Sequence, residues 1–325
     1  MTYNNSVIVK KDNIINSFDN VDNINNDNIL YSQNVINNFI AFLDVSPLSV
    51  RSYISGVKRF FAFMFENGIN TPNSDDVITF KKSLLDTGHK PATVALYLAA
   101  IKRFFAWTEQ SGIYKNIARD VKAPKIDRGH KKDCFSGTQI KSILANMPRT
   151  NIEGLRNYAM FALMINCGLR TIELARANIE DLRTSGDCTL LYIQGKGRTS
   201  KTDFVKLSPQ VEQAIRAYLK ARGNINESAP LFVSHSRRNS GQRLTTRTIS
   251  GVAKKAMINS GYQSARLTAH SLRHTAITLA LLKGLTLADV QAFARHTSIN
   301  TTMIYNHSVN RMTSQCEAVI ADAIF

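Results

Sequence analysis

The run Ser49-Val-Arg-Ser-Tyr-Ile-Ser-Gly-Val-Lys-Arg-Phe-Phe-Ala62 returns 44 positions later as Thr93-Val-Ala-Leu-Tyr-Leu-Ala-Ala-Ile-Lys-Arg-Phe-Phe-Ala106, and both copies close on Gly-Ile, at Gly68 and Gly112. In the first copy Val50, Tyr53, Val57, Phe60, Phe61 and Met64 fall at helical spacing. Pro47 with Ser49, and Pro91 with Thr93, supply the start signals. Each copy is therefore an amphipathic helix whose apolar stripe must be buried against a neighbour. Residues 75–87 read as a further helix between them. Two copies are too few for a solenoid, so the pattern predicts a compact all-helical module over residues 31–121. Arg59 and Arg103 stand opposite the stripes, flanked by Lys58 and Lys102. These basic faces read equally as solvated surface and as a surface for a polyanion.

Charge narrows the partner. Lys and Arg number 41 against 24 Asp and Glu, a net of +17. Residues 1–30 hold nine Asn and set two lysines against four aspartates, so the other 295 residues carry +19. A surplus of that size points to nucleic acid, the alternative being an incidentally basic enzyme. The Asn-rich segment 1–30 is too short and too poor in core residues for an independent fold and reads as a tail. Cys134, Cys167, Cys188 and Cys316 lie far apart with no Cys-x-x-Cys pair, which argues against a cysteine-bound metal site. Cys167 follows the apolar run 158–165 and reads as a buried small hydrophobe. No apolar stretch reaches the ~18 residues of a membrane span, and the start lacks a charged-then-apolar export signal, so a cytoplasmic protein is expected. Residues 122–133 carry Pro, Gly and charge without apolar periodicity and read as a linker, which leaves residues 134–325 as a second domain.

In that second domain Arg170 lies in Gly168-Leu-Arg-Thr-Ile-Glu-Leu174, at the end of a buried helix. Residues 188–194 and 203–207 read as strands joined by the glycine-containing turn 195–201, which carries Lys196. Residues 231–234 lead into a loop with Arg237, Arg238, Arg243 and Arg247. Residues 270–283 have helical periodicity and place His270 and Arg273 at i, i+3 on one face. Thr286-Leu-Ala-Asp289 resembles a capping box opening a helix that ends near His296, and Tyr305 follows nine residues later.

This ordered set resembles the catalytic residues of the tyrosine recombinases, the phage-integrase family, and most closely its small Xer-like members. The family pattern of Arg, Lys, His-x-x-Arg, His or Trp, and Tyr falls on Arg170, Lys196, His270, Arg273, His296 and Tyr305. One departure is Ala294-Arg295-His296, where the family often has Leu-Gly-His. The resemblance extends to the N-terminal module, and it implies a mainly α fold with a small β-sheet. A helical, SAM-like core-binding domain and a mixed α/β catalytic domain would close as a C-shaped clamp on duplex DNA. It also implies a tetramer on recombining sites.

The residue types suit phosphoryl transfer without a metal or another cofactor. The charge of a phosphodiester spreads over its oxygens in the transition state, and the planar guanidiniums of Arg170 and Arg273 can grip two oxygens each. Tyr305 is the candidate nucleophile; with a reference pKa of ~10 its phenol needs help, for which His270 is the candidate. Lys196, reference pKa ~10.4, is the candidate general acid for the leaving 5′-oxygen. His296 is expected to hydrogen-bond a nonbridging oxygen. Lys58, Arg59, Lys102, Arg103, Arg243 and Arg247 are candidate DNA contacts. A type IB topoisomerase would use similar chemistry on one duplex, and a noncatalytic DNA-binding protein would explain the charge alone. The sequence leaves open whether the task is integration of a mobile element or resolution of dimers.

After the candidate nucleophile, Val309, Met312, Cys316, Val319, Ile320, Ala323 and Ile324 form one apolar stripe. It predicts a single C-terminal helix over about 309–325, packed on its own domain or on a neighbouring protomer.

Overall fold

The computed structural model describes residues 32–126, 133–195, 197–223 and 226–325. The expected tail at 1–30, part of the linker, and Lys196 lie outside the described residues. The chain divides into two compact units at Arg128–Gly129.

The first unit is built from α1 (Gln33–Phe42), α2 (Pro47–Glu66), α3 (Ser74–Asp86) and α4 (Pro91–Gln110). The two repeat copies are α2 and α4. Equivalent positions of the repeat do equivalent work: Val50 and Val94, Ile54 and Leu98, Val57 and Ile101, Phe60 and Phe104, and Phe61 and Phe105 are all buried. Edge-to-face contacts of Phe39 and Phe61 with Phe104, and of Phe80 and Phe105 with Phe60, join all four helices. Gly56 lets α2 and α4 touch, since a Cβ there would stand 2.8 Å from the Ala100 Cβ and 3.2 Å from the Tyr97 Cα. The cap of α2 is Ser46, whose hydroxyl accepts from the Ser49 N–H. The proline is thus the first helical residue, and the start lies upstream of Ser49.

The second unit opens with α5 (Gly137–Asn146), α6 (Ile152–Asn166) and the short α7 (Thr171–Arg176). A three-stranded antiparallel meander follows, made of β1 (Leu182–Ser185), β2 (Cys188–Ile193) and β3 (Asp203–Lys206). Leu191 pairs with Leu182 on one side and Val205 on the other. The two expected strands are β2 and β3; β1, mostly exposed and with little apolar pattern, is an addition. Residues 231–234 form no strand, because Val233 makes an isolated bridge to Arg243 and extends no ladder. Then come α8 (Pro209–Arg222), α9 (Thr246–Asn259), α10 (Ala269–Leu282), α11 (Leu287–Ala294), α12 (Ile299–Thr313) and α13 (Cys316–Ile324).

The core of this unit forms around α6, where residues 159–165 are all buried. A satellite cluster of Ile277, Leu281, Val290, Ala294, Tyr305 and Val309 ties α10, α11 and α12 together. The expected single C-terminal helix is two. Ser314 turns to φ −61°, ψ 137°, and its hydroxyl accepts from the Cys316 N–H, a local bond that competes with the helix. Val309 belongs to the domain core, whereas α13 has no buried residue. Among the described residues no helix is long and apolar enough to cross a membrane.

Candidate active site

The sharp turn before α7 sets the first corner of the site. Gly168 has φ +58°, and a Cβ there would meet the Phe293 ring at 3.0 Å, so the turn requires glycine. It makes Arg170 the N-cap of α7. Glu173, 0% exposed, folds back on that cap: Oε2 accepts from the Arg170 backbone N–H at 2.9 Å and Oε1 from Arg170 Nη1 at 2.8 Å. The Arg170 side chain remains 25% exposed. Burial opposes the charge on Glu173, but Arg295 and then the bonds from Arg170 outweigh it and hold the carboxyl below its usual range.

Arg273 sits in α10, buried. Its Nη1 donates to the Gly168 carbonyl at 2.6 Å and its Nη2 to the Ala294 carbonyl, so it stitches the turn before α7 to the end of α11. Burial, with Arg170 and Arg295 nearby, lowers its pKa to about 9. His270, one turn earlier on α10, is exposed.

The helix α11 ends with Arg295 in the left-handed conformation, φ 52°, which turns the chain so that His296 points back at α12. The Nδ1 of His296 and Thr302 Oγ1 are 2.9 Å apart. Tyr305, 6% exposed, follows one turn along α12. Its ring stacks on His296, with centroids 6.1 Å apart, and lies 5.1 Å from that of His274, which in turn meets His270 edge-on at 5.5 Å. His270 thus reaches Tyr305 through His274.

Electrostatics set the protonation states. Burial raises the Tyr305 phenol to about 12 although Arg273 and Arg170 pull it down. Burial, then Arg273, Arg170 and Arg295, lowers His296 to about 4 and keeps its ring neutral at ordinary pH. Arg170, Arg273, His296 and Tyr305 therefore share one electrostatic neighbourhood, a neutral phenol and a neutral imidazole facing two guanidiniums. That arrangement suits an anionic, oxygen-rich group whose charge grows during reaction. Lys196 lies outside the described residues; before it, the Gly195 carbonyl accepts from Arg176 Nη1 at 3.2 Å.

Three residues at the site escape the sequence reading. Glu173 had a signal, an acidic residue three positions after a helix cap. His274 adjoins the His-x-x-Arg motif, and Thr302 had no signal at all. Among the candidate DNA contacts, Arg59, Arg103, Arg243 and Arg247 are exposed, and Lys58 and Lys102 are half-buried. Lys102 donates to the Arg119 carbonyl and Arg103 lies over the Phe42 ring. Arg243 donates to the carbonyls of Ala175 and Ala177 and to Asn178 Oδ1, which braces the end of α7.

Comparison with known proteins gives the chain's family. Residues 134–311 match the phage integrase family and residues 36–112 the phage integrase N-terminal SAM-like domain. The tyrosine recombinase XerC of Caldanaerobacter subterraneus subsp. tengcongensis is 29% identical over 60% of this chain and 52% of its own length. A tyrosine recombinase of Synechococcus elongatus is 28% identical over 85% of this chain and 89% of its own. The chain spans about half the length of the first of these relatives. Among solved structures, the XerH site-specific recombinase, in a post-cleavage complex with its palindromic difH substrate, superposes with a TM-score of 0.71 at 19% identity over 85% of this chain and 81% of that one. The fold is that of the tyrosine recombinases. The chain belongs to the phage integrase family.

Proposed function

We propose that this protein cuts and rejoins duplex DNA at specific sites through a 3′-phosphotyrosyl intermediate. The observation that carries the reading is the placement of Tyr305 and His296 within the field of Arg170 and Arg273. Arg170 and Arg273 bind the nonbridging oxygens of the scissile phosphate, and His296 hydrogen-bonds one of them. Tyr305 Oη attacks phosphorus while His270 helps to take the phenolic proton. The bond to the 5′-oxygen breaks, and Lys196 gives that oxygen its proton. Attack by the 5′-hydroxyl of a partner strand reverses the step. The phosphotyrosyl bond conserves the energy of the bond it replaced, so rejoining needs no nucleotide cofactor.

Exchange between two duplexes requires four strand cuts, hence four protomers on paired sites in the cytoplasm. Arg59, Arg103 and Arg247, exposed on their own units, are the proposed contacts that hold the duplex, with Lys58 and Lys102 beside them. Arg243, exposed as well, braces the end of α7 and is a further proposed contact to the duplex.

The test is to select a binding duplex from a random pool with the purified protein, nick it to trap cleavage, and run a denaturing gel. A covalent protein–DNA adduct is expected. Tight binding with no adduct would leave a noncatalytic binder, and relaxation of a supercoiled plasmid lacking the selected site would favour a topoisomerase.

A further inference from the structure

The residue that departs from the family's pattern at the end of α11 stands behind both arginines of the site. Arg295 Nη2 lies 3.0 Å from Glu173 Oε2 and 3.3 Å from the Gly168 carbonyl, while Nη1 donates to the Phe293 carbonyl at 2.7 Å. Glu173 is the acceptor that orients Arg170, and the Gly168 carbonyl is an acceptor of Arg273. One guanidinium, 10% exposed, therefore touches an acceptor of each of the other two.

The position is a costly one for an arginine. Arg295 is the one non-glycine residue with positive φ among the described residues. A left-handed helix end favours glycine, since a Cβ crowds the backbone there. Its Nε is buried with no partner among the described residues, a further cost. Glycine would serve the turn without either. Such outliers persist where the surroundings hold them, and they concentrate where geometry has a task.

We propose that Arg295 is a positioning residue for the phosphate clamp, holding Glu173 and the Gly168 carbonyl from behind so that Arg170 and Arg273 face the scissile phosphate. This rests on the strand-exchange reading above. Three guanidiniums stand against the single carboxylate of Glu173. By taking Oε2, Arg295 leaves Arg170 bound through Oε1 alone on its side chain, free to turn its remaining donors outward. Without Arg295, the full charge of Glu173 draws the Arg170 guanidinium back. Because Arg295 acts through these neighbours and touches no reacting atom, its loss changes the rate of cleavage and not the grip on DNA.

The experiment compares wild type, Arg295→Gly, Arg295→Lys, Arg170→Ala and Arg170→Ala/Arg295→Gly on the nicked duplex selected as above. Single-turnover adduct formation by Arg295→Gly at saturating protein is expected to fall more than fivefold. Duplex affinity should stay within twofold of wild type, with every assay run below the melting temperature of each variant. Arg295→Lys, which keeps the charge without the fork, is expected to recover part of the rate. In the Arg170→Ala background, Arg295→Gly should cost less than twofold more. A fivefold or smaller loss in the single variant, or full additivity in the double variant, overturns the proposal.

A second readout needs no activity. In protein labelled with 15N-arginine, the Nε–H resonance of Arg170, assigned by its absence in Arg170→Ala, is expected to shift in Arg295→Gly; an unmoved resonance overturns the proposal. Failure of the wild type to form an adduct overturns the strand-exchange reading instead, and the resonance still decides the role of Arg295.

Discussion

The imidazole of His296 is held between Tyr305, on which it stacks at 24° between ring planes, and Thr302, whose Oγ1 is 2.9 Å from Nδ1. Thr302 and Tyr305 lie one turn apart on α12, so the helix that carries the nucleophile also orients the histidine. In the tautomer whose Nδ1 accepts from the Thr302 hydroxyl, the neutral ring carries its proton on Nε2, the nitrogen left to donate to a phosphate oxygen.

Stability should therefore fall with acid. His296 titrates at about 4 in the folded chain against an ordinary histidine value of 6.5. Between those values the unfolded chain binds the proton and the folded one does not, so the contribution of neutral His296 is complete above the upper value and is lost as pH falls toward the lower. After allowance for partial exposure it amounts to about 2 kcal/mol. Urea unfolding at neutral and at mildly acidic pH should show a larger loss for wild type than for His296→Gln. Equal losses would remove His296 as the cause.

Tyr305→Phe should bind DNA as wild type does and form no covalent adduct, because it removes the attacking oxygen and keeps the ring packed with Ile277, Val290 and Val309. Its stability should change by no more than about 1.5 kcal/mol, the scale of one hydrogen bond. An adduct formed by the purified variant would transfer the nucleophile elsewhere.

Lys196→Ala should lose cleavage of ordinary DNA and regain it on a substrate whose bridging 5′-oxygen is sulfur, since a thiolate leaves without a proton. Arg170→Ala should gain nothing from the same substrate, because a clamp on nonbridging oxygens, whose loss costs roughly 10²–10³ in rate, is still missing. Equal rescue of both, or of neither, would deny Lys196 the role of acid.

Much of the fold and of the site is legible in the amino-acid sequence. The repeat predicts α2 and α4 because one apolar stripe, read at 3.6 residues per turn, leaves a helix a single burying face. The order of Arg170, His270, Arg273, His296 and Tyr305 points to one site because each residue type meets a separate need of phosphoryl transfer. What the sequence does not display is what holds those residues in place. Arg295 acts through contacts that bring 168, 173 and 295 together, and Thr302 through His296; sequence spacing carries no trace of these pairings, though it marks Glu173 as a cap partner of Arg170. The break at Ser314 is hidden for a local reason: the apolar spacing continues through a serine that bonds its own backbone.

Gly56→Val should destabilise the first unit by about 1–3 kcal/mol, because its side chain enters a helix crossing already closed by backbone atoms of Tyr97 at 3.2 and 3.3 Å. Gly251→Ala is the control. That glycine lies within α9, and a Cβ there would meet nothing within 4 Å, so alanine should raise stability by roughly 0.5–1 kcal/mol. Thermal melts of the two variants should move in opposite directions, and a neutral Gly56→Val would mean that α2 and α4 do not touch there.

Deleting residues 316–325 should leave the melting temperature of the single chain where it is, because α13 has no buried residue of its own. The deletion removes Val319, Ile320, Ile324 and Phe325, all exposed. Three large apolar side chains on one short helix and a fourth just after it are the wrong surface to leave in water, and each contributes about 1.5–3 kcal/mol once fully buried. If α13 docks on a neighbouring protomer, the truncated chain binds a selected half-site as before and fails to build higher-order complexes on paired sites. Native gels across a protein titration, read beside thermal melts, decide between the partners. Unchanged higher-order complexes would exclude the intersubunit role, and a drop in the melting temperature of the single chain would show that α13 packs on its own domain.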